Sequence, residues 1–172
     1  MNAGETIRAT VIGAGMYTTT VSGSTITYSG NVFPVKNMPV LKLTKEEEAV
    51  CFSGNEEMLL KKIQWFLSQN SGTRLILAMR GPKNPDYSML KTAASVFSGA
   101  MAACLDKEAP VIMIVENDIA KALGQLMKTY LKERAVIVID SIKVEDGDYV
   151  DMGRPVMDGL VIPVVVKTLV FG

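Results

Sequence analysis

The sequence predicts an α/β fold, in which a parallel, Rossmann-like layered unit is flanked by β-rich segments at both ends. Between about residues 55 and 140, patterns with helical spacing alternate three times with short apolar runs. Right-handed crossovers join parallel strands through helices, so this alternation is typical of a parallel sheet. The flanks, 1–50 and 142–172, are instead rich in β-branched residues and turn dipeptides. No repeat or low-complexity linker divides the chain, which favours a single compact domain over residues 1–172.

Three helices are expected in the α/β segment, residues 51–141. Ser53 and Glu56 have the spacing of a capping box, and apolar residues then recur at helical spacing until Asn70. Ser88 is the expected cap of a second helix, which runs through the small residues before Leu105. Asp118 is the expected cap of a third, whose apolar residues follow a period of 3.6.

The strands are predicted from apolar and β-branched runs. Runs bounded by polar residues are typical of strands buried on both faces. The predicted strands are Ile7–Ile12, paired strands within Thr18–Tyr28, Val40–Leu43, Arg74–Met79, Pro110–Val115, Ala135–Ile139, and strand-like stretches at Ile142–Val150 and Leu160–Phe171.

Composition excludes several classes of function. Lys and Arg together number 18, as do Asp and Glu, so no net charge favours nucleic acid or an anionic membrane. Histidine is absent, which removes Ser-His-Asp and Cys-His catalysis and His-containing zinc sites. Cys51 and Cys104 lie in apolar surroundings typical of buried, reduced thiols. The apolar runs are too short to cross a bilayer and no signal peptide is apparent, so we expect a cytoplasmic protein.

The first candidate site is Gly13-Ala14-Gly15, which follows a predicted strand. Backbone N–H groups in such a turn can approach a phosphate or ribose closely. A dinucleotide fingerprint needs a third glycine and a helix, but here Met16, Tyr17 and a threonine-rich strand follow. The residues alone leave two interpretations open, namely a tight β-turn and a ligand-contacting turn.

The remaining candidates are polar groups near predicted strand ends and turns. Arg80-Gly81 and Glu116–Asp118 each follow a buried strand, where open α/β sheets collect ligands, although helix capping alone explains Asp118. The acidic residues Asp146, Asp148 and Asp151 lack the spacing of a calcium loop and are expected in a solvated loop. Lys45–Glu48 is interpreted as a solvated face or the start of a helix. Neither a catalytic residue nor a metal ligand is assigned.

Two terminal stretches resemble a known family. The stretch Ile7–Gly15 with Val21–Ile26, and the stretch Met152–Pro155 with Val161–Leu169, together resemble the C-terminal region of the ethanolamine ammonia-lyase reactivating factors, the EutA family. The resemblance extends over essentially the whole chain. It implies a lobe of an actin-like ATPase, in the superfamily of actin, Hsp70 and sugar kinases.

The resemblance also implies a function and a site. The family binds ATP and Mg²⁺ between two lobes and frees ethanolamine ammonia-lyase of damaged cobalamin, a cofactor that belongs to the partner enzyme. Gly13, Ala14 and Gly15 resemble the element that contacts the ribose and adenine side of the nucleotide, with Thr18 and Thr19 next in line. Ethanolamine ammonia-lyase is the implied partner, while a homodimer and association with the ethanolamine-utilising bacterial microcompartment stay open.

The chain departs from this superfamily in one respect that limits its chemistry. The Asp-x-Gly-x-Thr loops that hold Mg²⁺ and phosphates do not occur in the sequence. Because phosphoryl transfer depends on metal and backbone donors around the phosphates, we expect that this chain alone does not hydrolyse ATP. Two alternatives remain, namely an independent small-molecule-binding α/β domain and a scaffold lobe of the microcompartment.

Overall fold

A computed structural model of the chain describes residues 15–22 and 32–169. These residues form seven strands and four helices. In chain order they are β1 (Gly15–Ser22), β2 (Val35–Lys42), α1 (Lys45–Phe52), α2 (Glu56–Asn70), β3 (Ile76–Met79), α3 (Tyr87–Cys104), β4 (Val111–Val115), α4 (Ala120–Tyr130), β5 (Val136–Ile139), β6 (Tyr149–Met152) and β7 (Ile162–Leu169).

All seven strands belong to one mixed sheet with the order β1-β7-β6-β2-β3-β4-β5. The four strands β2 to β5 are parallel, and β6, β7 and β1 continue the sheet in antiparallel pairing. The α/β class and its parallel unit are therefore confirmed. The predicted boundary at residue 50 is wrong, because β2 and α1 belong to the parallel unit and β2 joins it directly to β6.

The parallel strands are buried on both faces, and successive residues alternate between two cores. Leu77 and Met79 of β3 belong to a core that the four helices share, whereas Ile76 and Ala78 belong to the other. The first core takes one face of β3, β4 and β5 and buried residues from every helix. All four helices therefore cover the same face of the sheet.

The second core contains residues of strands and loops only. Isoleucines of β4 and β5, such as Ile112 and Ile137, cluster there with Val150 of β6 and Val164 of β7. Because β6 and β7 belong to the same sheet, the sheet must curl so that its antiparallel half covers the second face of its parallel half. Each isoleucine removed from water in this way contributes about 1.5–3 kcal/mol.

The helix starts differ from those predicted. The capping box lies at Thr44, whose hydroxyl accepts from the backbone N–H of Glu47 at 3.2 Å while the Glu47 carboxylate accepts from the N–H of Thr44 at 2.9 Å. Ser53 instead ends α1. The caps of α2 and α3 are Asn55 and Asp86, so the predictions for Ser53 and Ser88 are wrong by two residues. Short polar residues cluster in these loops, and spacing alone does not select among them.

The third predicted cap and part of the tail are also wrong. Helix α4 begins after Ile119 and has no side-chain cap, because the predicted cap residue Asp118 lies beside Asp140 instead. Of the strand-like stretch 142–150, only its end enters β6. The predicted strand Ile7–Ile12 lies outside the described residues. In the described segments, no helix combines the length and apolar character needed to span a bilayer.

Candidate functional site

A cleft of about 680 Å³ opens at the carboxyl ends of β2, β3 and β4. This is the edge at which open α/β sheets collect ligands. Its charged lining comes from β2, α1, the β3–α3 loop, the residue that follows β4 and the loop before β6. Its apolar lining comes from the second half of α1, the segment between β2 and α1, the β3–α3 loop and the start of α3. The lining residues are Lys42, Leu43, Thr44, Lys45, Glu48, Ala49, Phe52, Arg80, Gly81, Pro82, Met89, Glu116, Lys143, Glu145 and Asp146.

Lys42, the last residue of β2, lies on the floor of the cleft. Its Nζ donates to Glu116 Oε2 at 3.0 Å and to the carbonyl oxygen of Val144 at 2.8 Å, and lies 3.6 Å from Glu145 Oε1. Its backbone N–H donates to Asp146 Oδ1 at 2.8 Å. With its side chain only 19% exposed, Lys42 joins the ends of β2 and β4 to the loop that follows β5.

Glu48 of α1 holds the loop between β3 and α3. Its two carboxylate oxygens accept from the backbone N–H groups of Arg80, at 2.9 Å, and Gly81, at 3.1 Å. Gly81 has φ +85°, and a Cβ there would lie 3.1 Å from the Ile119 side chain. The loop therefore needs glycine at this position, which keeps its backbone against α1 and leaves the Arg80 side chain free to face the cleft.

The structure brings together the two strand ends singled out from the sequence. Asn117 donates to the carbonyl oxygens of Arg80, through its backbone N–H at 3.0 Å, and of Gly81, through Nδ2 at 2.6 Å. Arg80 Nε lies 4.0 Å from Glu116 Oε1, and the arginine side chain is 72% exposed. Residues 80–81 and 116–117 are therefore neighbours at the carboxyl edge of the sheet.

Asp118 and Asp140 form a carboxyl pair beyond β4 and β5. Asp140 is buried, and its Oδ2 has no hydrogen-bond partner among residues 15–22 and 32–169. Burial, and next the neighbouring Asp118 carboxyl, raise the pKa of Asp140, while the hydroxyl of Ser141 opposes that shift. The described residues contain no cluster of three or more His, Cys, Asp or Glu side chains suited to a metal ion.

The acidic residues Asp146, Asp148 and Asp151 do not simply form a solvated loop, so that prediction is wrong, and Asp151 lies within β6. Asp146 accepts from the backbone of Lys42, and buried Asp148 accepts from the N–H of Glu145 and from Thr168 Oγ1, each at 2.8 Å. Asp151 pairs with Lys167 at 2.8 Å, which helps to lower its pKa against the effect of burial. Each carboxylate thus fixes the local backbone or a neighbouring strand.

Both cysteines are free, as predicted, although only Cys51 is fully buried. Burial, followed by the charges of Glu47 and Glu48, raises the pKa of Cys51 to about 12. Cys104 is half-buried, and burial also raises its pKa. A raised pKa lowers the fraction of reactive thiolate at both cysteines near neutral pH.

The nucleotide-contacting residues expected from the resemblance are only partly described. Gly13 and Ala14 lie outside the described residues. Gly15 is the first residue of β1 and pairs with Leu169, so it lies in a strand and not within the predicted turn. Thr18 and Thr19 lie inside the same strand, opposite Val166 and Val165.

The strand register relates β1 to the cleft. Tyr17 pairs with Lys167, Lys167 with Tyr149, and Tyr149 with Pro39, which defines one row across four strands. Gly15 and Lys42 lie on the same side of that row. The carboxyl edge of β2 and the start of β1 therefore share one edge of the sheet, three strand spacings or about 14 Å apart along it.

Sequence reasoning missed Lys42 and Lys143 as parts of a site. Lys42 lies inside the predicted strand Val40–Leu43. Its position as a single lysine among apolar residues is the one feature of the sequence that could have indicated a role in a site. Lys143 was assigned to a strand, whereas it is exposed and lines the cleft. The contacts of Lys42 span more than a hundred residues of sequence, and local pattern carries no information about them.

Fold and cleft together define an α/β protein whose curled mixed sheet carries a cleft lined by charged residues at its carboxyl edge. The profile of the family described as "Ethanolamine utilisation protein EutA" matches residues 1–172. The chain belongs to the EutA family.

Two curated relatives support this assignment. The "Ethanolamine ammonia-lyase reactivase EutA" of Salmonella typhimurium is 35% identical over 167 residues, which cover 97% of this chain and 34% of the relative. The protein of the same name from Escherichia coli gives the same identity and coverage. The chain thus spans about a third of the length of these relatives. No solved structure matches the chain significantly.

Proposed function

We propose that the chain is the C-terminal lobe of a reactivase for ethanolamine ammonia-lyase. The observation that carries this proposal is the 35% identity, over 97% of the chain, to proteins that bear that name. In this proposal the whole protein releases damaged cobalamin from the lyase in an ATP-dependent cycle. The lyase is the partner, and cobalamin is its cofactor.

The lobe's own contribution is one wall of a nucleotide cleft, formed by Gly13, Ala14, Gly15, Thr18 and Thr19. Glycine at position 15 supports this assignment, because the absence of Cβ lets a ligand approach the backbone at the start of β1. When bound, ATP and Mg²⁺ would supply the phosphoryl chemistry. The Asp-x-Gly-x-Thr loops that would hold Mg²⁺ and the phosphates do not occur in this sequence, which spans 34% of a curated relative, so we place them in the remainder of the full-length protein.

The test is reactivation of cyanocobalamin-blocked lyase by the full-length protein carrying Gly15→Val. We expect ATP-dependent reactivation to be lost, since a branched side chain at the start of β1 would obstruct the nucleotide. Gly72→Val is the matched control. Its Cβ would meet the nearest atom at 3.6 Å, an ordinary contact, in an exposed loop after α2.

Wild-type reactivation by Gly15→Val, with an unchanged dependence on ATP concentration, would contradict the nucleotide assignment. Loss of reactivation at every ATP concentration, in a variant that still binds nucleotide, would do so as well. A phosphate-release assay on the isolated chain tests the lobe itself. We expect no turnover above buffer, and measurable turnover would refute the assignment of the phosphate loops to another part of the protein.

A further inference from the structure

The cleft at the carboxyl edge has the size and the mixed lining of a small-molecule site. Its volume of about 680 Å³ lies within the roughly 300–1,000 Å³ usual for such sites. One wall is apolar and is formed mainly by Phe52, Pro82 and Met89. Phe52 is fixed by an edge-to-face contact with Phe97, whose ring centroid lies 6.1 Å away. The Phe97 contact therefore sets the position of Phe52 in the lining without a ligand.

The carboxylates that line the cleft are already engaged. Glu48 accepts two backbone N–H groups, and Asp146 accepts one. Glu116 and Glu145 both face the Nζ of Lys42, at 3.0 and 3.6 Å. Lys42 is fully used by these contacts and by the carbonyl oxygen of Val144. The acidic side chains thus hold the protein together and are poorly placed to receive a cationic ligand.

Three other cations of the lining are not engaged in this way. Among the described residues, Lys45 and Lys143 have neither an ion pair nor a side-chain hydrogen bond, and both are exposed. Within the described part of the chain, the ion pair of Arg80 is the 4.0 Å contact with Glu116. The lining contains four cations and four carboxylates, so its formal charge is zero. Whether the cleft favours an anionic or a cationic ligand therefore depends on which charged side chains of the lining are available to a ligand. The available side chains are the three cations.

We propose that this cleft binds a small organic anion, with an apolar or aromatic body against Phe52, Pro82 and Met89. A carboxylate, sulfonate or phosphate group on that body lies between Arg80, Lys45 and Lys143. The guanidinium of Arg80 offers paired N–H donors suited to such a group. The inference does not depend on the reactivase role, since it uses only contacts within this chain and residues other than Gly13–Thr19.

The test compares two naphthalene dyes of similar shape on the purified chain. 8-Anilinonaphthalene-1-sulfonate carries the anion, and N-phenyl-1-naphthylamine lacks it. Fluorescence titration should show tighter binding of the sulfonate. Arg80→Ala and Lys143→Ala should each weaken that binding about three- to tenfold, a tenfold loss being about 1.4 kcal/mol. Neither variant should change binding of the uncharged dye.

Lys132→Ala is the matched control, because it removes an exposed lysine, without an ion pair to any described residue, from the loop before β5 at the opposite edge of the sheet. It should bind both dyes as the wild type does. Equal binding of the two dyes, or an unchanged affinity in both cleft variants, would overturn the proposal. An equal loss in Lys132→Ala would also overturn it, because attraction would then be general to the surface. Far-ultraviolet circular dichroism confirms that each variant is folded, and Arg80→Gln replaces Arg80→Ala if that variant is not.

Discussion

The ion pair between Lys42 and Glu116 allows a quantitative test of how the cleft floor is held. Lys42→Met keeps most of the length of the side chain but removes its charge and its hydrogen bonds. Glu116→Gln keeps the shape of its side chain and removes its charge. The two single variants and the double variant form a double-mutant cycle, which isolates the interaction between the two side chains.

The expected coupling follows from distance and burial. Two unit charges 3.0 Å apart attract by about 5–6 kcal/mol at an effective dielectric constant of about 20. Desolvation offsets most of that attraction, and fully exposed pairs retain only about 0.2–1 kcal/mol. The two side chains are 19% and 21% exposed. We therefore expect a coupling of about 1–2 kcal/mol, above the range of exposed pairs.

Urea unfolding followed by circular dichroism gives the four free energies of unfolding. The exposed pair Lys61–Glu57 on α2 is the control, with an Nζ–Oε2 distance of 3.2 Å and side chains 72% and 74% exposed. Lys61→Met and Glu57→Gln should couple by no more than about 0.5 kcal/mol. If the coupling at Lys42–Glu116 does not exceed that of the exposed pair, the Lys42 contacts do not hold the cleft floor and the reasoning fails.

Three further predictions concern the sheet, a helix and acid stability. Ile137→Ala should lower the free energy of unfolding by about 2–5 kcal/mol in urea titrations if the second core is closed, and by much less if that face of the sheet is open. Gly99→Ala should be neutral or stabilise α3 by up to about 1 kcal/mol, because the three atoms nearest the added Cβ all belong to the Glu56 carboxylate, at 2.6–2.9 Å, which is the end of a flexible side chain. A clear loss of thermal stability would show that this carboxylate is fixed. The folded state raises the pKa of Asp140 and so binds that proton more tightly than the unfolded chain does. The contribution of Asp140 to stability should therefore fall as pH rises above about 4. Urea titrations across pH should show that Asp140→Asn lacks this fall, and identical profiles would contradict the assignment.

The elements could be predicted from sequence because each local pattern has a physical cause. The apolar runs at 110–115 and 135–139 became β4 and β5, since both of their faces are buried. The caps could not be predicted as well. Ser53, Ser88 and Asp118 have suitable chemistry, but Asn55, Asp86 and an uncapped start at Ile119 are used instead. Tertiary contacts, such as that of Asp118 with Asp140, decide between neighbouring candidates.

The site was predicted in outline only. The strand ends at Arg80 and Glu116 followed from the general rule for open α/β sheets, and they do meet. The role of Lys42 depends on contacts with Val144 and Glu145, which approach it only because β6 pairs with β2. The local spacing of apolar residues in the sequence does not predict that antiparallel pairing or the curl of the sheet that it produces. The nucleotide-contacting role of Gly13–Gly15 remains a prediction.

The order of strands in the sheet has a consequence for synthesis of the protein. Strand β2 pairs with β6, and β1 pairs with β7, although the two members of each pair come from opposite ends of the described sequence. These pairings can form only after β6 and β7 have been synthesised. The helical layer can assemble from local contacts. The isoleucine-rich second face of β3, β4 and β5 stays exposed to solvent until β6 and β7 have emerged from the ribosome. Strand pairing that is late and non-local slows folding, and in the meantime it leaves an apolar, aggregation-prone surface exposed. Expression yield should therefore depend more on residues 149–169 than their short length suggests.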